Sequence, residues 1–260
     1  MKILLCGKGG SGKSTIAALL AKNLQVEGYR VLVVDADESN FGLGVQLGLG
    51  DPVELMDQVG GKSAVKSRMG VSRGDGHKFP VFTETWRIDD IPLECLSKEG
   101  DLCLLQIGKI RHYSEGCACP MGVLSKDFIC NLLLDSNDIA VIDTEAGVEH
   151  LGRDVAAGAD LILGIIDPSY ESIRLSEKIS AMAEECNKPV LFIINKVEKT
   201  FADRLLAKIG KDRVIGIIPF SGLVQEKGFL GEPLDASSLD VSSVIEVICR
   251  IQRGQDFMHN

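Results

Sequence analysis

No stretch of this 260-residue chain approaches the roughly 18 consecutive apolar residues of a membrane-spanning helix. The first apolar run, Ile3–Cys6, meets glycine at Gly7, which leaves no room for the apolar region of a secretory leader. Basic charge is short as well. Lys and Arg number 28 against 37 Asp and Glu, and a net charge of −9 disfavours broad nucleic-acid binding, which needs a clustered basic surface. No internal repeat is visible. The expectation is a cytoplasmic protein with no membrane span and no nucleic-acid partner, its eight cysteines reduced.

What is present fits one domain. A composition of 45% hydrophobic and 25% charged residues is ordinary for a chain that buries a sizeable core. Apolar runs at Ile3–Cys6, Arg30–Asp35, Leu102–Ile107, Ile139–Asp143, Leu161–Ile166, Val190–Asn195 and Val214–Pro219 read as strands. Several lack polar alternation, as parallel strands covered on both faces do. Helical spacing lies between them, at Lys13–Val26, Met121–Leu134, Ser169–Cys186 and Phe201–Ile209, and again at Val241–Arg253. The alternation predicts an α/β fold, a doubly wound and mostly parallel sheet with helices on both faces. Residues 1–260 read as a single domain with a loop-rich insertion around 51–100. Within it Gly60–Pro80 is rich in Gly and Ser and carries Lys62, Lys66, Arg68, Arg73 and Lys78, the pattern of a solvated insertion or of a partner-docking surface.

Lys8–Thr15 reads K-G-G-S-G-K-S-T between the first strand and the first helix. Such a loop turns several backbone N–H groups toward one point, which suits a polyphosphate. Gly9, Gly10, Ser11, Gly12, Lys13, Ser14 and Thr15 form the cradle, with Lys13 reaching the outer phosphates and the Ser14 hydroxyl taking a position on Mg²⁺. Lys8 is a second cation that an ordinary phosphate loop does not need. K-G-G-x-G-K-[ST] resembles the deviant Walker A motif of the MinD, ParA and nitrogenase iron protein superclass. The resemblance implies a homodimer closed by ATP, with Lys8 reaching into the facing subunit's site.

Carboxylates follow at strand ends. V-D-A-D-E-S-N places Asp35 and Asp37 at i and i+2, pointing the same way on an extended segment. The superclass resemblance gives Asp37 the water-positioning role and leaves Asp35 as a structural or metal-water partner. Asp143 ends another apolar strand in D-T-E-A-G, the place of a carboxylate that holds Mg²⁺ through water. By resemblance to switch II, Gly147 offers its N–H to the terminal phosphate. Asn195, Lys196 and Pro219 end two later strands, and in the superclass such residues contact the adenine. The guanine-type N-K-x-D pattern fails at Glu198, which favours ATP over GTP.

Cys117 and Cys119 sit between glycines in E-G-C-A-C-P-M-G, whereas the other cysteines lie among apolar residues and read as small core side chains. Thiolates are soft ligands for Ni²⁺, Zn²⁺ or an Fe–S cluster. A closed site wants four, and a two-fold axis between subunits would supply the missing pair. With the phosphate loop and D-T-E-A-G-V-E-H-L, this G-C-A-C is similar to CooC-type accessory ATPases. That resemblance implies an ATP-dependent metallochaperone for nickel insertion, with carbon monoxide dehydrogenase or a related nickel enzyme as client. An iron–sulfur reductase of nitrogenase iron protein type and a MinD- or ParA-like positioning ATPase are the alternatives.

Overall fold

The structure, a computed structural model, describes residues 1–69, 85–111, 119–146 and 152–255. Among the described residues the chain alternates strand and helix from its start. It runs β1 (Lys2–Gly7), α1 (Lys13–Val26), β2 (Arg30–Ala36) and the short helices α2 (Leu43–Leu47), α3 (Leu55–Gln58) and α4 (Gly61–Met69). Then come β3 (Ser97–Glu99), β4 (Leu102–Gln106), α5 (Cys119–Asn131), β5 (Asp138–Thr144), α6 (Gly152–Ala157) and β6 (Leu161–Ile166). The last elements are α7 (Tyr170–Glu185), β7 (Val190–Asn195), α8 (Lys199–Ile209), β8 (Val214–Ile218), α9 (Gly222–Leu230) and α10 (Ser242–Gln252).

The strands form one eight-stranded sheet in the order β3-β4-β2-β5-β1-β6-β7-β8, parallel except for β3 on β4. The doubly wound, mostly parallel fold expected from the sequence is the one observed. Each central strand is apolar on both sides because both faces are covered. Leu4 and Cys6 of β1 enter one core with α5, α7 and α8, and Ile3 and Leu5 enter the other with α1 and α10. On α10, Val244, Ile245 and Ile248 are buried, while Val247 and Ile251 pack at the core's margin. β1 pairs β5 on one side and β6 on the other, so the connections leave in opposite directions there. Ligands of such sheets bind at that switch point, beyond the strands' carboxyl ends.

The insertion departs from a loop. Residues 55–58 and 61–69 are helical, and Leu55, Met56, Val65, Ile88 and Ile91 are buried in the core under α5. Gly60 and Gly61, with φ of 95° and 78°, turn the chain between α3 and α4. The remainder of Gly60–Pro80 beyond Met69 lies outside the described residues. Cysteine placement also differs in part. Cys6, Cys95, Cys103 and Cys249 are buried, but Cys130 is exposed on α5.

Gly164 of β6 stands beside Phe192 of β7 in register, and a Cβ there would lie 2.5 Å from the ring. Phe192 is fully buried, so the ring has no free direction in which to move. Gly164→Ala is expected to destabilise the fold by about 1–3 kcal/mol, the usual cost of overpacking. Urea unfolding checks it, as a lowered midpoint with an unchanged slope.

Candidate functional site

β1 delivers Gly7 to the carboxyl edge, and the next residues form the loop that the sequence marks as a phosphate cradle. Gly10 and Gly12 have φ of 78° and 98°, left-handed values that a side chain would resist. Ser11 N–H donates to the Lys8 carbonyl at 3.1 Å, closing the turn, and Ile16 N–H donates to Gly12 at 2.9 Å, starting α1. Lys13 is 7% exposed and its Nζ donates to the Gly7 and Lys8 carbonyls at 3.2 and 3.4 Å. Its ammonium is thus curled into the loop it would share with a phosphate. Gly9, Ser14 and Thr15 complete the loop as the sequence places them.

Lys8 turns toward its own chain. Its Nζ lies 3.2 Å from Asp167, which follows β6. Burial works against the Asp167 charge, but hydrogen bonds from Ser169 and Lys8 hold its pKa below the usual carboxylate value.

The carboxylates converge by register. Parallel pairing sets Asp35 of β2 directly beside Asp143 of β5, and Asp143 beside Leu5 of β1. Both are desolvated and their pKa values rise, Asp35 to about 7 and Asp143 to about 6. Lys109 opposes the rise at Asp35, and Ser14 and Lys13 oppose it at Asp143. Asp35 accepts from Lys109 Nζ at 2.6 Å. Asp37 is partly exposed and accepts from Ser39 N at 2.9 Å and Ser39 Oγ at 2.6 Å. The Asn40 amide donates to Ser14 Oγ at 2.7 Å and to Asp143 Oδ2 at 3.4 Å.

Mg²⁺ asks for hard oxygen donors, and the residues present fit it. Asp143 Oδ1 is buried without a hydrogen-bond partner, next to the Ser14 hydroxyl. Ser14 and Asp143 are the groups that could hold the ion, partly through water, with Asp37 on the open side. The Asn40 amide bridges the same two side chains.

Asn195 and Pro219 are neighbours because β7 and β8 pair Asn195 with Ile218. Asn195 is 4% exposed and donates to the Ser11 carbonyl at 2.8 Å, bracing the phosphate loop. Lys196 Nζ donates to the Gly10 carbonyl at 2.8 Å, and Pro219 is exposed. Asn195 and Lys196 therefore grip the loop backbone in this state, whereas the sequence expectation has them at the base.

Gly147 and Cys117 lie outside the described residues. Cys119 is the first residue of α5, exposed, and takes part in a disulfide whose partner is not among the described residues. Cys6, Cys95, Cys103, Cys130, Cys186 and Cys249 are reduced thiols. Among the described residues no group of three or more His, Cys, Asp or Glu is arranged to hold a metal ion.

Sequence reasoning missed Lys109, Glu54 and Asp167. Lys109 is the most consequential, an ammonium buried among loop carbonyls. Its only signal is the glycine before it, just past a strand.

Comparisons with known proteins place the chain in a nucleotide-binding family. The family model "CobQ/CobB/MinD/ParA nucleotide binding domain" matches residues 3–234. An uncharacterized ATP-binding protein of Methanocaldococcus jannaschii is 42% identical over 250 residues, 96% of this chain and 100% of that protein. The carbon monoxide dehydrogenase accessory protein CooC of Rhodospirillum rubrum is 32% identical over 232 residues, 86% of each chain. Among solved structures, the cell division ATPase MinD of Pyrococcus furiosus superposes with a TM-score of 0.66 at 18% identity, covering 96% of this chain and 99% of that one. That likeness concerns the fold.

Two measurements bear on the site. A Cβ on Gly12 would lie 2.4 Å from Asn195 Nδ2, at a φ that already disfavours a side chain. Gly12→Ala is expected to weaken ATP binding about tenfold or more, as a strained loop reorganises, and calorimetric titration reads it. Asp143 must lose its proton to hold Mg²⁺, and its folded pKa of about 6 is raised above the ordinary 3.8. Apparent Mg²⁺ affinity is therefore expected to hold above pH 6 and to fall about tenfold per pH unit below it, read by Mg²⁺ titration of the nucleotide complex.

Proposed function

The chain belongs to the CobQ/CobB/MinD/ParA nucleotide-binding family and is an ATPase, and on that premise we propose that it is a dimeric metallochaperone. Its cargo is Ni²⁺ or Zn²⁺ carried on Cys117 and Cys119, and its client is carbon monoxide dehydrogenase or a related nickel enzyme. The observation that carries this reading is the position of Cys119. It stands exposed at the start of the helix that follows β4, and β4 leads through Lys109 into the nucleotide site. Once reduced, Cys119 would offer solvent a thiolate ten residues beyond Lys109, the buried ammonium at the nucleotide site. The similarity to a protein called a carbon monoxide dehydrogenase accessory protein supports the choice of client.

The chain's own groups divide the work. Lys13 and the loop N–H groups hold the phosphates, and Lys8 from the facing subunit adds positive charge where negative charge develops. Asp37 orients the attacking water. Mg²⁺, when bound by Ser14 and Asp143, neutralises charge on the outer phosphates. Two thiolates per chain complete a four-ligand site only when two chains close, so ATP loading and metal holding share one dimer. Thiolates are the ligands, so the cysteines must be reduced before metal enters.

With reductant and a non-hydrolysable ATP analogue, the protein is expected to run as a dimer in sizing. It should bind about one Ni²⁺ or Zn²⁺ per two chains, as four thiolates from two chains require. Cys117→Ala with Cys119→Ala should abolish that binding while thermal unfolding stays unchanged. A persistent monomer, or unaltered metal stoichiometry in the double variant, contradicts the reading.

A further inference from the structure

Lys109 is one of the least exposed charges in the described chain, its side chain and that of Asp35 both 1% accessible. A lysine ammonium has three hydrogens to donate, and each has a destination. One goes to Asp35 Oδ2 at 2.6 Å, one to the Asp37 carbonyl at 2.6 Å, and one to the Asn40 carbonyl. A counterion for Asp35 alone would need only the first. The other two fall on the backbone of the loop that carries Asp37 and Asn40.

The lysine is itself fixed from behind. Its N–H donates to Glu54 Oε2 at 2.8 Å, and Glu54 Oε1 accepts from Arg111 at 2.6 Å. On either side, Ile107 N–H donates to Asp35 O and Ile110 N–H to Glu38 O, both at 3.0 Å. Residues 107–110 therefore run as a strap along the loop after β2, and the ammonium is the one side chain that crosses between them to reach both ends of residues 37–40. What it holds matters to the chemistry, because the Asn40 amide rests on Ser14 Oγ at 2.7 Å. A shift of the Asn40 backbone carries that amide away from Ser14 and Asp143.

We propose that Lys109 is a positioning residue for ATP hydrolysis, its ammonium setting the backbone of residues 37–40 so that the Asp37 carboxylate and the Asn40 amide meet the phosphate loop. All three of its ammonium hydrogens go to protein acceptors. It acts through the loop, so its loss leaves ATP binding by Lys8–Thr15 largely intact and slows the chemical step.

Lys109→Met alone leaves Asp35 buried and unpaired, which is a strong destabilisation in its own right. The decisive comparison is therefore between Asp35→Asn and the double variant Asp35→Asn with Lys109→Met, in which the interior charge is balanced. Steady-state ATP hydrolysis and thermal unfolding are measured for both. The expected result is a kcat at least about tenfold lower in the double variant than in Asp35→Asn, with the KM for ATP within about threefold. Equal kcat in the two would make Lys109 a counterion and nothing more, overturning the proposal. A raised KM at unchanged kcat overturns it as well, since the loss would then be in binding. Failure of the charge-balanced variant to unfold cooperatively counts against it too, because Lys109 would then belong to the core.

Discussion

Burying carboxylates at the edge of a parallel sheet is the constraint around which this site is organised. β2 and β5 set Asp35 and Asp143 side by side in register, both out of water. Desolvation raises both pKa values, and a nearby carboxylate raises each further, Asp143 acting on Asp35 and Asp37 on Asp143. The edge is stable only if cations and donors are brought to it. Lys109 comes from the segment after β4, Lys13 from the loop after β1, and the Asn40 amide from the loop after β2. Meeting that electrostatic demand draws separate stretches of the chain to one point. Breaking the Lys109–Asp35 pair by removing one partner would cost on the order of 3–5 kcal/mol, which makes the convergence part of folding as well as of function.

How much of this was legible in the sequence follows from which interactions are local. The phosphate loop is written in consecutive residues, because its backbone needs glycine at Gly10 and Gly12 and its cations sit within the same turn. The central strands are legible because burial on both faces leaves continuous apolar runs. Lys109 is not, because a lysine after an apolar strand looks like the point where a chain returns to solvent. Its partner Asp35 is 74 residues away, and nothing near Lys109 names it. Helices α3 and α4 escape for a related reason. Each is short and offers few apolar positions, and their anchor is long-range, as in Met56 N–H donating to Ile107 O at 2.8 Å. The sequence suggests an adenine contact for Asn195, whereas in the structure its amide holds the Ser11 carbonyl, since an asparagine at a strand end does not name the group it grips.

Lys8 shows how weakly the resting site is held where it has to change. Its ion pair with Asp167 spans 3.2 Å, with the lysine 26% and the aspartate 14% accessible. Partly exposed pairs of that kind contribute about 0–1 kcal/mol, little enough for a triphosphate to draw the lysine away. Lys109 and Asp35, 1% accessible, are the opposite case, since the ammonium is out of water and all three of its hydrogens are already placed. The same edge therefore carries one cation that is cheap to release and one that is costly. If Lys8 serves the phosphates as proposed, its release costs little, while the loop bearing Asp37 stays anchored to Lys109. A site arranged the other way round, with a mobile loop and a fixed Lys8, would have to rebuild the loop bearing Asp37, the residue proposed to position water, each cycle, and the placement of these two lysines avoids that cost.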